Sequence, residues 1–271
     1  MGWLFTALIA GAVMAGLAHV LGWFKKPVDY RRPRILMYHM ISPHRPGAQF
    51  NKLRVPPNQF EQQLAWLKEN GWHFYTMREL QALAPNFPEK AVALTFDDGF
   101  EDNYTHALPI MQKYGAKGTL YLVIDRHNND WSTKKKAHHD SGELMREPKL
   151  SDAQVAALLD SGLFELGGHT FSHANLATID TTQKAHEIAA SRAYLERTFK
   201  TSVTSFAYPF GIYTERDPEL VAQAGFLNAV TTVEGVDDKP SDRWYELKRV
   251  KISGKDNLST FCKRIRFGNK K

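Results

Sequence analysis

Two short segments of the 271-residue chain carry side chains that can bind a metal ion or move protons. Asp97 and Asp98 end a continuous apolar run that begins at Ala91, and Gly99 follows them. Adjacent carboxylates at the tip of a buried strand repel each other, so a metal ion, an arginine or a shared proton should lie beside them. A polar Asp-Gly turn that closes a strand is the alternative, and the pair alone does not decide between the two.

The second segment contains two histidines four residues apart, His169 and His173, directly after the short apolar segment 164–168. Neutral imidazole is a common ligand of zinc and similar divalent ions. The chain has 11 histidines, so a pair at this spacing is a weak signal by itself. Combined with one carboxylate of the Asp pair, the histidines would form a facial site with open positions, and the second carboxylate could act as a base.

The elements that must position these residues follow an alternating pattern along the chain. Apolar segments predict strands at 35–41, 91–96, 119–124, 164–168, 203–207, 228–232 and 247–252, and helical patterns lie between most of them. This alternation predicts an α/β fold of parallel β-α-β units, in an open sheet or a closed barrel. In either arrangement the carboxyl ends of the strands share one rim, so the acidic and histidine segments should meet there.

The N-terminus carries a separate signal, because the 22 residues from Trp3 to Phe24 include no Asp, Glu, Lys or Arg. A helix of that length spans a bilayer, and aromatic residues lie at both of its ends. We predict a membrane anchor over 1–24, a basic juxtamembrane linker over 25–33 and a catalytic domain over 34–271. A cleaved signal peptide is the alternative, although no basic residue precedes the apolar segment.

Basic residues follow the apolar segment, and the positive-inside rule therefore predicts a single-pass protein of a bacterial-type inner membrane with its domain in the cytoplasm. A periplasmic or extracellular domain is the alternative. Lys and Arg total 35 against 29 Asp and Glu, a net charge of +6 that favours anionic surroundings. The basic runs at 134–136 and 263–271 have no aromatic platform, so we interpret them as solvated and expect no nucleic-acid partner. The single cysteine, Cys262, excludes an internal disulfide and a cysteine metal cluster.

The two segments together resemble the first two motifs of the polysaccharide deacetylase family, also called carbohydrate esterase family 4 or the NodB-homology domain: Thr95-Phe96-Asp97-Asp98-Gly99 and His169-Thr170-Phe171-Ser172-His173. The resemblance covers residues 34 to 252 and implies a distorted (β/α) barrel of about seven strands. It makes Asp98, His169 and His173 ligands of a metal and Asp97 the general base. We expect zinc, although such a donor set also accepts cobalt, nickel or iron.

The third motif of this family is Arg-x-Pro-Tyr or Arg-x-Pro-Phe, and here it reads Ala207-Tyr208-Pro209-Phe210. The resemblance implies that the Phe210 backbone N–H stabilises an oxyanion and that Tyr208 and Pro209 contact the substrate. The arginine that orients the base in many relatives is absent. Arg249, in the predicted strand 247–252, is the candidate substitute, and a solvated charge at the strand end is the alternative.

The general acid of the family usually comes from a C-terminal Leu-x-x-His motif, but no histidine follows His186 in this chain. In the branch that resembles poly-N-acetylglucosamine deacetylases, an early Tyr-His motif supplies it, and Tyr38-His39 matches that motif. The first strand of a closed barrel lies beside the last, so either source can present an imidazole to one site. His39 is therefore the predicted acid, and a histidine of the core is the alternative.

These residues predict a metal-dependent de-N-acetylase that releases acetate from an N-acetylated amino sugar. The sugar would belong to a lipid-linked precursor or lipopolysaccharide if the domain is cytoplasmic, and to a secreted polysaccharide or peptidoglycan if it is outside. A catalytically inactive, membrane-tethered glycan-binding module of the same fold is the alternative.

Overall fold

The computed structural model describes residues 26–127, 129–135 and 141–269. Within these ranges one sheet contains eight strands, and every pairing between them is parallel. In chain order the strands are β1 Arg34–Tyr38, β2 His73–Tyr75, β3 Ala91–Asp98, β4 Gly118–Leu122, β5 Phe164–Gly168, β6 Ser205–Ala207, β7 Asn228–Glu234 and β8 Leu247–Lys251.

Strand β3 is where the sheet closes. Strand β1 lies on one side of β3, while β2 pairs with the start of β3 and β4 pairs with its end. Because β1 also pairs with β8, strand β1 and strands β3 to β8 form a closed ring of seven, and β2 extends the wall beneath β4. The prediction of a (β/α) barrel of about seven strands is confirmed, and the open sheet is excluded.

Helices connect the strands and pack on the outside of the barrel. They are α1 Pro57–Glu69, α2 Met77–Ala82, α3 Leu108–Tyr114, α4 Ser132–Lys135, α5 Glu143–Arg146, α6 Asp152–Asp160, α7 Thr181–Phe199, α8 Asp217–Gln223 and α9 Leu258–Phe267. A π-helical turn, Asn103–Ala107, precedes α3, and 3-10 turns occupy Asn51–Leu53, Leu176–Thr178, Pro209–Gly211 and Pro240–Asp242.

The twofold alternation of side chains along each strand divides the core into two layers. Ala93 and Leu247 belong to a small apolar cluster in the barrel interior, whereas Leu94 belongs to the larger core between the barrel and its helices. The same alternation directs Asp97 on β3 and Arg249 on β8 toward the barrel axis. Acidic and basic side chains from two distant parts of the chain are therefore brought to one place by strand register alone.

Helix starts agree with the capping signals in the sequence. The Thr76 hydroxyl accepts from the Glu79 N–H and the Glu79 side chain accepts from the Thr76 N–H, so both hydrogen bonds of a capping box are present. Ser151 and Gln154 form the same pair at the start of α6. Each box satisfies two backbone donors that a helix start leaves without partners, which fixes where these helices begin.

The C-terminal basic run differs from the prediction. Residues 263–269 were expected to be solvated, but α9 packs Phe261 and Ile265 fully into the core. Arg264 is also buried, donates to Asp256 at 2.7 Å and pairs with Glu234. Lys263 and Arg266 are exposed as predicted, whereas the prediction is wrong for Arg264, which lies on the side of the helix that faces the barrel.

The predicted anchor, Trp3 to Phe24, lies outside the described residues. Among residues 26–127, 129–135 and 141–269, no helix combines the length and apolar character needed to cross a bilayer. The described part of the linker is bound to the domain: Val28 N–H donates to Arg266 O at 2.9 Å, and the buried Arg34 guanidinium donates to Val28 O at 2.8 Å. Val28 thus lies against the end of α9, whereas Tyr30 O accepts from Lys90 N–H and Arg32 pairs with Asp238.

Candidate active site

The acidic pair lies at the carboxyl end of β3, where the backbone turns sharply. Asp98 has a φ of 79° and Gly99 a φ of 86°, both in the left-handed region. A Cβ atom at Gly99 would lie 2.4 Å from Leu122 Cδ1, so only glycine fits there. The turn separates the two carboxylates, and each has a different set of partners.

Asp98 faces the two histidines of the second segment. Its Oδ1 lies 3.3 Å from His169 Nε2 and 3.2 Å from His173 Nε2. All three side chains are almost fully buried, and one ligand atom from each lies within 4.8 Å of the others. The sequence predicted this group, and the structure brings its three members together.

The protonation of this group suits a divalent ion. The Nδ1–H of His169 donates to Ala207 O at 2.7 Å, which leaves the Nε2 lone pair directed at the site. Burial lowers the pKa of His173 to about 4, so its ring is neutral at pH 7. Burial disfavours the charged form of Asp98, but the adjacent His169 and His173 outweigh that effect and hold the pKa of that carboxyl well below its usual range. Two imidazoles and one carboxylate form a donor set of the zinc type.

The loop that carries the histidines is strained and has a dedicated support. Thr170 and His173 have φ values of 60° and 56°, which cost about 1 kcal/mol or more each for residues other than glycine. Glu187 on α7 accepts hydrogen bonds from Phe171 N–H and Ser172 N–H, both at 2.9 Å, and from the Ser172 hydroxyl at 2.7 Å. Glu187 therefore holds the loop in the conformation that aims His173 at Asp98. Sequence reasoning missed it, because nothing in α7 marks this glutamate.

Asp97 faces the opposite side and binds Arg249. The guanidinium donates from Nη1 to Oδ1 and from Nη2 to Oδ2, at 2.7 Å each. It is itself fixed by hydrogen bonds from Nη1 to Thr95 Oγ1 at 3.0 Å and from Nε to Thr231 O at 2.8 Å. Arg249 is fully buried, so it is not a solvated charge at a strand end.

The protonation state of Asp97 follows from this pairing. Burial disfavours its charged form, but the adjacent Arg249 guanidinium outweighs that effect and keeps the pKa of Asp97 below its usual value. A planar guanidinium that contacts both oxygens fixes the carboxylate plane as well as its charge. The carboxylate is thus ionised and oriented without a metal contact of its own.

His39, the predicted general acid, lies beside Asp97 in the same site. Tyr38 pairs in register with Phe96, so the next residues along the two parallel strands, His39 and Asp97, lie side by side. His39 Nε2 is 4.0 Å from Asp97 Oδ2, and its side chain is 16% exposed. The imidazole lines the cavity described next, so a substrate can reach it, unlike a histidine enclosed in the core.

A cavity of about 620 Å³ opens over these residues, a volume in the range that holds small-molecule ligands. Trp131 stacks on the His173 ring, with centroids 5.1 Å apart, and Phe210 meets the same ring edge-on at 4.4 Å. These aromatic side chains fix the His173 ring plane and give the cavity an apolar wall. The sequence did not predict Trp131, which belongs to the aperiodic segment 125–149.

The third motif is divided between the cavity and the core. Phe210 lines the cavity and has a φ of 59°. Tyr208 and Pro209 were predicted to bind substrate, but both are buried and neither lines the cavity. The Tyr208 hydroxyl donates to Tyr245 O at 2.9 Å, so this side chain is used in packing. The two residues place Phe210 instead of contacting a ligand themselves.

Comparison with known proteins agrees with this fold and site. The sequence profile described as polysaccharide deacetylase matches residues 84–229, which include both the acidic pair and the histidine segment. The chain belongs to the polysaccharide deacetylase family. It is accordingly a carbohydrate deacetylase, a hydrolase that acts on carbon–nitrogen amide bonds.

Individual relatives cover most of the chain. A Bacillus subtilis (strain 168) protein, YxkH, whose name assigns it to the polysaccharide deacetylases, is 32% identical over 85% of this chain and 75% of its own length. Poly-β-1,6-N-acetyl-D-glucosamine N-deacetylase of Staphylococcus aureus (strain MRSA252) is 27% identical over 73% of this chain and 68% of its own. The solved structure of Streptococcus pyogenes deacetylase PplD in complex with acetate superimposes with a TM-score of 0.72 at 26% identity, covering 89% of this chain and all of that one.

Proposed function

We propose that this chain hydrolyses the acetamide of an N-acetylated amino sugar in a metal-dependent reaction, with Asp97 as the base and His39 as the acid. The observation that carries the proposal is the division of the acidic pair. Asp98 faces His169 and His173, while Asp97 is held by Arg249 and lies beside His39. A bound divalent ion would supply Lewis-acid polarisation of the acetamide carbonyl.

Asp97 is suited to take a proton from the attacking water. Its carboxylate is ionised, lines the cavity, and cannot rotate because two hydrogen bonds from Arg249 fix its plane. A base held in one orientation loses little entropy when the reaction begins. The arginine that is missing from the third motif is thus replaced, in its contact with the base, by an arginine from β8.

His39 is suited to protonate the departing amine. It lies on the same side of the cavity as Asp97, at 4.0 Å, and an amine leaving group must gain a proton as the carbon–nitrogen bond breaks. The Phe210 ring contacts the His173 ring, and the Phe210 backbone N–H would donate to the oxyanion that forms during amide hydrolysis. With these groups in place, the chain retains what a hydrolase needs, and this favours an enzyme over an inactive glycan-binding module.

The substrate class follows from the relatives and the cavity. The Staphylococcus aureus relative is named for a β-1,6-linked N-acetylglucosamine polymer. A cavity that is open on one side and walled by aromatic side chains can receive one sugar unit of a longer glycan. We therefore propose an N-acetylated glycan substrate, either a polysaccharide or a lipid-linked sugar.

Acetate release from a β-1,6-linked N-acetylglucosamine oligosaccharide by the full-length chain tests this proposal. Turnover should disappear after dialysis against a chelator and return when a divalent ion is added, with zinc, cobalt, nickel and iron compared in parallel. Binding of the oligosaccharide without any acetate release, in the presence of each of these ions, would support the inactive module instead.

A further inference from the structure

The cavity contains cationic side chains that the proposed reaction does not use. Lys52, Lys135 and Lys251 all line it, together with Asp97, Asp98 and the histidines. Three lysines at one cavity concentrate positive charge there. They occupy two walls of the cavity: Lys251 and Lys52 lie on the wall formed by the end of β8, and Lys135 lies on the other.

Lys251 is placed by the same alternation that positions Arg249. Lys251 follows Arg249 by two positions on β8, so both side chains point toward the barrel axis and Lys251 lies one layer nearer the mouth. Register pairing of Met37 with Lys251 puts this lysine at the end of β1 that carries His39. The Lys251 side chain is partly exposed, and it lines the cavity that the substrate must enter.

Lys52 lies on the same wall because the chain after β8 returns to the 3-10 turn Asn51–Leu53. Gly254 N–H donates to Lys52 O at 3.0 Å. A Cβ atom at Gly254 would lie 1.7 Å from Arg54 O, so the two segments are in direct backbone contact. The segments that carry Lys52 and Lys251 thus form one rigid wall. Lys135 lies on the other side, with its Nζ 5.8 Å from the Phe210 ring centroid.

The charges on the Lys52 and Lys251 wall are not neutralised by the protein. Within the part of the chain that the structure describes, neither lysine forms an ion pair. The carboxylates among the described lining residues are Asp97 and Asp98, and these are engaged by Arg249 and by the two ligand histidines. A cavity with unneutralised ammonium groups at its rim attracts anions and raises their local concentration.

We propose that the sugar deacetylated here carries an anionic group, a phosphate or a carboxylate, which Lys251 and Lys52 bind. This inference rests on the proposed function and specifies its substrate. The lysines bind the anion beside the reacting acetamide, so they act on substrate affinity and leave the chemical step unchanged.

The test compares three substrates for the full-length, metal-loaded chain: a neutral N-acetylglucosamine oligosaccharide, the same oligosaccharide with a phosphate monoester on its terminal sugar, and one with a carboxylate there. The wild-type chain should prefer an anionic form by about tenfold in kcat/KM, the size of one charge-assisted hydrogen bond. The preference should lie in KM and shrink as ionic strength rises. Comparison of the two anions shows which group is recognised.

Variants of the chain distinguish anion binding by Lys251 and Lys52 from a general effect of the protein's positive charge. Lys251→Gln and Lys52→Gln should each remove much of the preference, because they raise KM for the anionic substrates more than KM for the neutral oligosaccharide. Lys255→Gln removes the same charge from an exposed position outside the cavity and should retain the preference. Equal kcat/KM for neutral and anionic substrates, or a preference that survives in the Lys251→Gln Lys52→Gln double variant, would overturn the inference while the deacetylase activity stands. Absence of turnover on all three substrates would instead contradict the proposed function.

Discussion

Arg249 contacts both carboxylate oxygens of Asp97 at 2.7 Å, although the two residues are 152 positions apart in the chain. Closure of the barrel brings them together, because β1 lies between β3 and β8 and pairs with both. The family motif places an arginine at the last residue of β6, where this chain has Ala207. In this chain Arg249 on β8, two strands further along the sheet, orients Asp97 and keeps it ionised.

Turnover should depend more on the geometry of the Asp97 and Arg249 pair than on the positive charge of Arg249. Arg249→Lys keeps the cation but cannot form two parallel hydrogen bonds, so we expect kcat to fall about tenfold. Arg249→Met leaves a buried carboxylate without its partner and should also reduce the free energy of unfolding by about 3–5 kcal/mol. Steady-state kinetics and denaturant unfolding of both variants provide the measurements, and metal content should be unchanged in the lysine variant. Wild-type kcat in Arg249→Lys would show that the orientation of Asp97 is unimportant.

The role of His39 can be separated from a packing role by changing the leaving group. His39→Ala should lower kcat for an N-acetylated sugar by about 100-fold or more, because the amine must be protonated as it leaves. An activated phenyl acetate ester has a leaving group that needs no proton, so the same variant should hydrolyse it at close to the wild-type rate. An equal loss on both substrates would indicate that His39 acts on the structure of the site and not as an acid.

Glu187 offers a test of the strained ligand loop. Glu187→Gln replaces a carboxylate that accepts three hydrogen bonds by a group with one acceptor oxygen, so the 170–173 segment should relax. We expect metal affinity to fall about tenfold or more, as for other residues that orient ligands. Metal titration monitored by calorimetry provides the measurement. Glu219→Gln on α8 is the matched control, because Glu219 contacts Gln223 and lies away from the site.

Lys149 should make stability depend on alkaline pH. Burial lowers the pKa of its ammonium from 10.5 to about 8, while its Nζ donates to Glu147 O at 2.7 Å and lies 4.9 Å from the Trp131 ring centroid. Between pH 8 and 10.5 the unfolded chain binds more protons than the folded one, so the free energy of unfolding should rise with pH in this window. Comparison with Lys149→Met isolates this contribution. A difference between the two proteins that stays constant from pH 7 to 10 would contradict the lowered pKa.

The membrane anchor over 1–24 and the cytoplasmic placement of the domain stay predictions. A reporter enzyme that is active only in the cytoplasm can be fused after Lys271. If the domain is cytoplasmic, this fusion should be active. Alkaline phosphatase activity from the same fusion position would place the domain on the outer side and would favour a secreted polysaccharide as substrate.

Strand periodicity predicted parallel β-α-β units in an open sheet or a closed barrel, and the family resemblance selected the barrel and made Asp98 the carboxylate that joins His169 and His173. Each of these residues ends or follows a strand, and in a parallel barrel all such positions share one rim. Arg249 could be named as a candidate from its charge and strand, but its contact with Asp97 depends on which strands close the barrel.

Other parts of the site could not be predicted because their signal is tertiary. Trp131 lies in a segment whose sequence shows no hydrophobic periodicity. Glu187 lies on a helix whose apolar pattern predicts which side is buried but not what its polar residues bind. Tyr208 and Pro209 were assigned to substrate from motif position, but both are buried, and Tyr208 is covered by Tyr213, which stacks on its ring, and by Tyr245, whose carbonyl accepts from its hydroxyl.

The most direct test of the central claim, that Asp98 binds the metal and Asp97 is the base, is metal stoichiometry measured beside turnover in Asp97→Asn and Asp98→Asn. The account predicts that Asp98→Asn loses bound metal and acetate release together, whereas Asp97→Asn retains metal at the wild-type ratio and loses turnover by about 100-fold or more. Equal loss of metal in the two variants would contradict it.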